Sequence, residues 1–203
     1  MINSISPEQE SMVEVYLKKW LEVGYRTETT DQVKASASVE FLYEQILDMK
    51  TPEIHFVKSP MEAQLLCNKL VNNIQPGSKE QLEYFEVARG NWWLSYYSFN
   101  DYLLNVIFPE KIGEFEKFTA FLEHSKNFHL IWTFDTFAVV CDFPSAINID
   151  EESKLHSNFT GSLVYRDDYQ IYAQNGTVME KKEWVEITKK YHSSLASEIF
   201  KKV

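Results

Sequence analysis

The segment NWWLSYYSF, Asn91 to Phe99, places five aromatic rings in the eight residues after Asn91. Around it, Leu82, Phe85, Arg89, Trp92, Tyr96, Phe99 and Leu103 step by three and four residues, the spacing of one helix face. Gly90, Trp93, Tyr97 and Leu104 form a second stripe beside the first. Together they make an apolar arc too wide for a surface helix, and predict a central helix packed on more than one side. Ser78-Lys-Glu-Gln81 reads as its capping box and Pro109 as its end. Gly90 costs ~1 kcal/mol against Ala inside a helix, so it marks a close backbone approach or a break.

N-terminal to this segment, Ser6-Pro-Glu-Gln9 predicts a helix to Val23 that stops at Gly24, with Val13, Leu17, Trp20 and Leu21 inward. Thr30-Asp31 opens a second helix with Ala35, Val39, Leu42 and Ile46 on one face. Glu53–Val57 alternates like a strand, Ser59-Pro-Met-Glu62 starts a helix to Val71, and Ile74–Gly77 is a turn. C-terminal to it, Lys111–Ser125 reads as a helix with Ile112, Phe115, Phe118 and Leu122 inside. Then the pattern changes. Phe128–Phe134 and Thr136–Phe143 suggest a strand pair turned near Asp135. Short strands follow at Lys154–His156, Ser162–Arg166, Tyr169–Ala173 and Thr177–Met179, with Asp167-Asp168 and Asn175-Gly176 as turns. Trp184–Lys202 closes the chain as an amphipathic helix.

The fold class that follows is α+β: N-terminal helices around a central aromatic helix, a C-terminal antiparallel meander and a closing helix. The reading gives one domain over 1–203, with 1–127 mainly helical, 128–180 the meander and 181–203 the last helix. With 44% hydrophobic and 15% aromatic residues in 203, the chain has a core to build, which excludes intrinsic disorder.

The formal charge is −10, and residues 1–100 and 101–203 each carry −5. An evenly repulsive field excludes nucleic acid as a main partner and an anionic membrane surface as a docking plane. Lys181-Lys182, Lys189-Lys190 and Lys201-Lys202 read as solvated helix charges. The longest purely apolar run is Phe137–Cys141, far short of a spanning helix of roughly 20 residues. The N-terminus has no basic or apolar leader segment, and Cys67 and Cys141 read as two buried thiols. Both predict a cytoplasmic chain. The glycosylation-type triplets at Asn158 and Asn175 read as chance in that setting.

Across the meander, Leu155-His-Ser-Asn-Phe-Thr-Gly161, Val164-Tyr-Arg-Asp-Asp-Tyr169 and Ile171-Tyr-Ala-Gln-Asn-Gly176 resemble a bacterial family of unknown function. Its pattern runs LH…GPA…Y-x-DG…Y…G…VP, and it is sometimes found beside leucine-rich repeats. Ser6–Glu10, Trp20–Gly24 and Ser59-Pro60 are similar to its N-terminal half. The chain departs from it at Ser162-Leu163 (Pro-Ala is usual), at Asp168 (the turn Gly) and at Asn175 (often His). The resemblance implies no activity.

Chemistry-bearing motifs are sparse. His124 and His129 are five residues apart, which suits no helical or strand-borne metal pair. No Gly-x-Ser-x-Gly elbow, electropositive Cys or phosphate-cradling Gly loop is present. Neither a metal nor a cofactor is expected. Asp167-Asp168 reads as a turn pair. The reading is a non-enzymatic protein-interaction module, immunity- or regulator-like. Its acidic, aromatic face carries Trp93, Tyr97 and Tyr102, with His156, Tyr165, Asp168 and Tyr172 as a second set, and steers a basic protein partner. The alternative is an enzyme or small-ligand binder whose pocket lies between the Trp92–Tyr97 helix and the meander, using His156, Asp150 or Asp168.

Overall fold

In a computed structural model, which describes residues 5–72, 84–85 and 93–201 (84–85 and 193–201 as backbone), the first helices begin where their capping side chains dictate. Ser6 Oγ accepts the Gln9 N–H at 3.2 Å and Gln9 Oε1 accepts the Ser6 N–H at 3.0 Å, opening α1 (Pro7–Gly24). Asp31 accepts from the Val33 and Lys34 N–H groups to open α2 (Gln32–Phe41). Ser59 Oγ accepts the Glu62 N–H at 3.1 Å at the start of α3 (Pro60–Asn72). Each side chain satisfies amide donors that a helix start leaves over.

The chain divides into two compact units, Met1–Phe143 and Pro144–Val203. The first holds a four-stranded sheet in the order β1 (Glu53–Val57), β4 (Phe137–Cys141), β3 (Leu130–Phe134), β2 (Tyr84–Phe85). β1 runs parallel to β4, with Glu53 opposite Phe137 and Val57 opposite Cys141; the other pairs are antiparallel. All five residues of β4 are buried. An inner strand covered on both faces explains the unbroken run Phe-Ala-Val-Val-Cys. Ile131, Ala138 and Val140 of the sheet meet Trp20 of α1, Val39 of α2, Tyr97 of α4 (Leu94–Tyr102) and Phe121 of α5 (Glu116–His124) in one core.

Two polar devices lock this unit. The Asp101 carboxylate, buried between α1 and α4, accepts from Lys19 Nζ at 2.7 Å, Trp20 Nε1 at 2.9 Å and Asn105 Nδ2 at 2.9 Å. A buried carboxylate survives only with such partners. The fully buried Tyr43 donates its hydroxyl to the Phe134 carbonyl at 2.6 Å, at the β3–β4 turn.

The structure corrects several expectations. The helix predicted from Leu82 is not continuous, because Tyr84-Phe85 form β2, paired with Phe134 and Thr133 of β3. An open strand edge offers backbone hydrogen bonds that local periodicity cannot register. The helix instead starts at Leu94 and widens into a π turn at Leu103–Ile107. The Ser78 capping box, the 74–77 turn and Gly90 lie outside the described residues. Lys111–Ser125 is not one helix: Pro109–Phe115 is a 3₁₀ turn and α5 follows. The strands over 128–143 belong with β1, not with the meander, so 128–180 holds two separate sheets.

The second unit is an antiparallel sheet in the order β5 (Ala146–Ile147), β6 (Leu163–Val164), β7 (Gln170–Gln174), β8 (Thr177–Met179), with α6 (Lys181–Lys201) against β7. β5 was not anticipated, and Lys154–His156 contributes only a bridge from Leu155 to Ile149. Asn175 and Gly176 both have positive φ, 49° and 83°, the two-residue hairpin turn that Asn-Gly predicts. The preceding turn is wider than expected. Asp168 N–H donates to the Tyr165 carbonyl at 3.1 Å, and Asp168 has φ 64°, a tight turn followed by a left-handed residue. The α+β class and the closing helix hold. The Leu195 and Ile199 side chains lie outside the described residues.

Candidate functional site

On α4, helical spacing separates two aromatic faces, one buried and one exposed. Tyr97 and Tyr102, read from sequence as contact residues, are buried. Tyr97 packs on Trp20 (centroids 5.4 Å apart) and Phe121 (5.8 Å), while the Tyr102 hydroxyl donates to the Gln9 carbonyl at 3.2 Å. Trp93 is half-buried, edge-on to Tyr96 at 5.4 Å. The stripe of Tyr96 and Phe99 faces outward: Tyr96 is 48% exposed and Phe99 58%. The reason is the Asp101 network, which turns Tyr97 and Tyr102 toward α1 and leaves Tyr96 and Phe99 facing away.

Beside that outer face lies an apolar cleft of about 440 Å³. Tyr96 and Asn100 of α4 and Leu104 of the following π turn form one part of its lining; Phe108, Lys111 and Phe115 come from beyond them. Two structural accidents of the sequence make it. The π turn after Tyr102 swings Phe108 outward, and the 3₁₀ turn brings round Phe115, 44% exposed, where an α-helix was expected to bury it. Tyr96 meets Phe118 edge-on at 6.5 Å, and Phe118 stacks on Phe121, so the cleft wall continues the core. Lys111 Nζ lies 5.7 Å from the Phe108 ring centroid, a cation–π distance. Glu110, Glu114 and Glu116 are exposed around the same turn. The volume and the few polar groups are those of a ligand or anchor pocket.

The four second-unit candidates are engaged locally. Tyr165 is buried against Tyr169 at 5.9 Å, and Tyr172 is half-buried between Trp184 at 5.0 Å and Lys181 at 5.7 Å. The half-buried His156 sets its Nδ1 3.0 Å from Asn175 Oδ1 and 3.2 Å from the Asn175 backbone nitrogen. Asp150 uses Oδ1 on the Glu152 and Lys154 N–H groups at 3.0 and 2.9 Å, and Asp168 is exposed on a different turn. His156, Asp150 and Asp168 thus each serve their own hairpin. Of this set only Asp168 presents an exposed side chain, so no aromatic contact face forms here from Tyr165 and Tyr172.

His129 is buried, and burial pushes its imidazole down to about 4 against the partial opposition of Asp142. His124 is lowered for the same reason, stacks on Phe41 at 4.2 Å and meets Ser38 Oγ at 3.0 Å. His129 is a core histidine and His124 a half-buried one. Among the described residues no cluster of His, Cys, Asp or Glu is placed to hold a metal ion. Burial raises the Cys67 thiol, opposite to an activated nucleophile. No helix among them is long and apolar enough to cross a membrane.

The sequence missed Tyr96, Phe99, Phe108 and Phe115 as surface groups. Pro109 was no signal for this: it stands at the start of the 3₁₀ turn, a position where proline suits an α-helix equally well. No known family matches the chain, and neither a curated protein nor a solved structure is similar to it.

Proposed function

We propose that this chain is a non-enzymatic interaction module, immunity- or regulator-like, of a bacterial cytoplasm. Its cleft beside α4 takes up an apolar anchor side chain of a basic protein partner. The observation that carries this is the concave aromatic surface of Tyr96, Phe108 and Phe115 beside three exposed glutamates, on a chain of net charge −10. An aromatic floor desolvates the anchor, and the surrounding acid accelerates encounter with a positive partner. The alternative, a small-ligand binder, is supported by a cleft volume in the range such ligands fill.

The test is titration of the full chain with a synthetic peptide bearing one tryptophan flanked by lysines, and with its glutamate-flanked counterpart. Saturable binding of the lysine form, weakened by salt and by Tyr96→Ser or Phe115→Ser, supports the proposal. Equal binding of the two peptides, or none, removes it; saturation by a neutral apolar small molecule instead establishes the alternative.

A further inference from the structure

The cleft contains two polar groups whose directions are already set. Asn100 Nδ2 donates to the Tyr96 carbonyl at 2.8 Å. That bond fixes the amide orientation and leaves Oδ1, an acceptor, without a donor among the described residues. Lys111 is held at the opposite side by its backbone, whose N–H donates to the Phe108 carbonyl at 2.9 Å. Its ammonium meets the Phe108 ring and no carboxylate among the described residues, although Glu110 and Glu114 are close in sequence. The remaining lining (Leu103, Leu104, Phe108, Phe115 and Phe118) is apolar except for the hydroxyl of Tyr96.

A mostly apolar cleft that offers a cation and an acceptor is complementary to an apolar group that carries an anion and an N–H donor. The last residue of a polypeptide has that set: a side chain, a terminal carboxylate and the amide N–H that precedes it. We propose that the cleft recognises the carboxy-terminal residue of the partner. The apolar side chain lies against Phe108 and Phe115, the carboxylate on Lys111 Nζ, and the last amide N–H on Asn100 Oδ1. This rests on the anchor-binding reading above and gives it a direction. An interior segment of a partner supplies the apolar group and the amide but no anion, and leaves Lys111 unanswered. Capture of a terminal carboxylate is a recurring mode of peptide recognition, and a charge-assisted hydrogen bond is about twice as strong as a neutral one.

The experiment uses the full chain and three fluorescent hexapeptides, each with two lysines and one phenylalanine. In one the phenylalanine is carboxy-terminal as the free acid. In the second it is terminal as the amide, and in the third it is internal. The free acid is expected to bind about tenfold more tightly than the other two. Lys111→Met, which keeps the aliphatic stem over Phe108, lowers the acid to the level of the amide. Asn100→Leu weakens the acid peptide, whereas 3-phenylpropionate, which has the anion but no amide, is indifferent to that change. Lys111 and its neighbours in the turn are exposed, so the variant folds as the parent does, and circular dichroism checks this. Equal binding of all three peptides, lost on Phe115→Ser, overturns terminus recognition and leaves the anchor pocket standing. An acid preference that survives Lys111→Met also overturns it. No binding by any peptide removes both readings.

Discussion

Asp168 shows how one backbone dihedral angle governs what a side chain is asked to do. Its φ of 64° lies in the left-handed region, which an L-residue enters at a cost and glycine does not. Asp168 closes the Tyr165–Tyr169 hairpin from an exposed position. Asp168→Gly is therefore expected to raise the melting temperature of the chain slightly, relief of a left-handed cost of about 1–2 kcal/mol outweighing glycine's entropic loss of about 0.5–1 kcal/mol. Gly176→Ala is expected to do the opposite by a similar ~1 kcal/mol, because φ there is 83° and Lys154 Cβ lies 3.4 Å from where the new methyl would stand. Parallel thermal melts of the two variants check both signs. Ser162 is a second case. Its N–H donates to the Ile171 carbonyl at 2.8 Å, and its buried Oγ donates to the Ala173 carbonyl at 3.0 Å and accepts the Ala173 N–H at 3.1 Å. A proline at this position lacks both groups, which gives Ser162 a physical reason to stand there.

Between elements, the β3–β4 hairpin depends on Tyr43, which lies on the π turn Leu42–Ile46 that ends α2. Its hydroxyl reaches the Phe134 carbonyl at 2.6 Å and the Phe137 carbonyl at 3.4 Å, and burial raises its pKa. Tyr43→Phe keeps the ring and removes the hydroxyl donor. It is expected to cost ~1–2 kcal/mol in denaturant unfolding, whereas a surface control such as Tyr191→Phe changes little. The same interplay of polar and apolar groups orients α4. Helical spacing supplies two aromatic faces, and Asp101, with Lys19, Trp20 and Asn105 around it, selects which of them goes inward.

For the first unit as a whole, pH acts through His129. The folded unit holds it neutral with a pKa of about 4, while in the unfolded chain it titrates near ~6.5. Above that pH both states are neutral and the folded state is at full strength. As pH falls from 6.5 to 4 the unfolded chain takes up a proton that the folded unit refuses, so stability is lost across that window. The loss amounts to about 3 kcal/mol at 1.36 kcal/mol per unit. His124, also lowered by burial, acts in the same direction. Urea unfolding followed by fluorescence at pH 7, 6 and 5 checks this, with His129→Asn expected to flatten the slope. Across the whole chain, the even spread of −10 acts on approach rates and not on the fold.

Elements whose cause lies within a few residues were legible in the order of amino acids. The capping side chains Ser6, Asp31 and Ser59, the Asn175-Gly176 turn and the inner-strand run at Phe137–Cys141 are of this kind. Each is settled by short hydrogen bonds or by backbone sterics, and a short window contains all the groups involved. The pairing of β1 with β4 joins strands 84 positions apart, and β2 exists because β3 offers an open edge. No window contains both partners. The cleft belongs to this second kind. The aromatic residues that make it were visible, but which of them face outward was decided by Asp101 on one side and by the turns at 103–115 on the other. Burial is a property of what packs against a helix, and periodicity along one helix gives two candidate faces without ranking them.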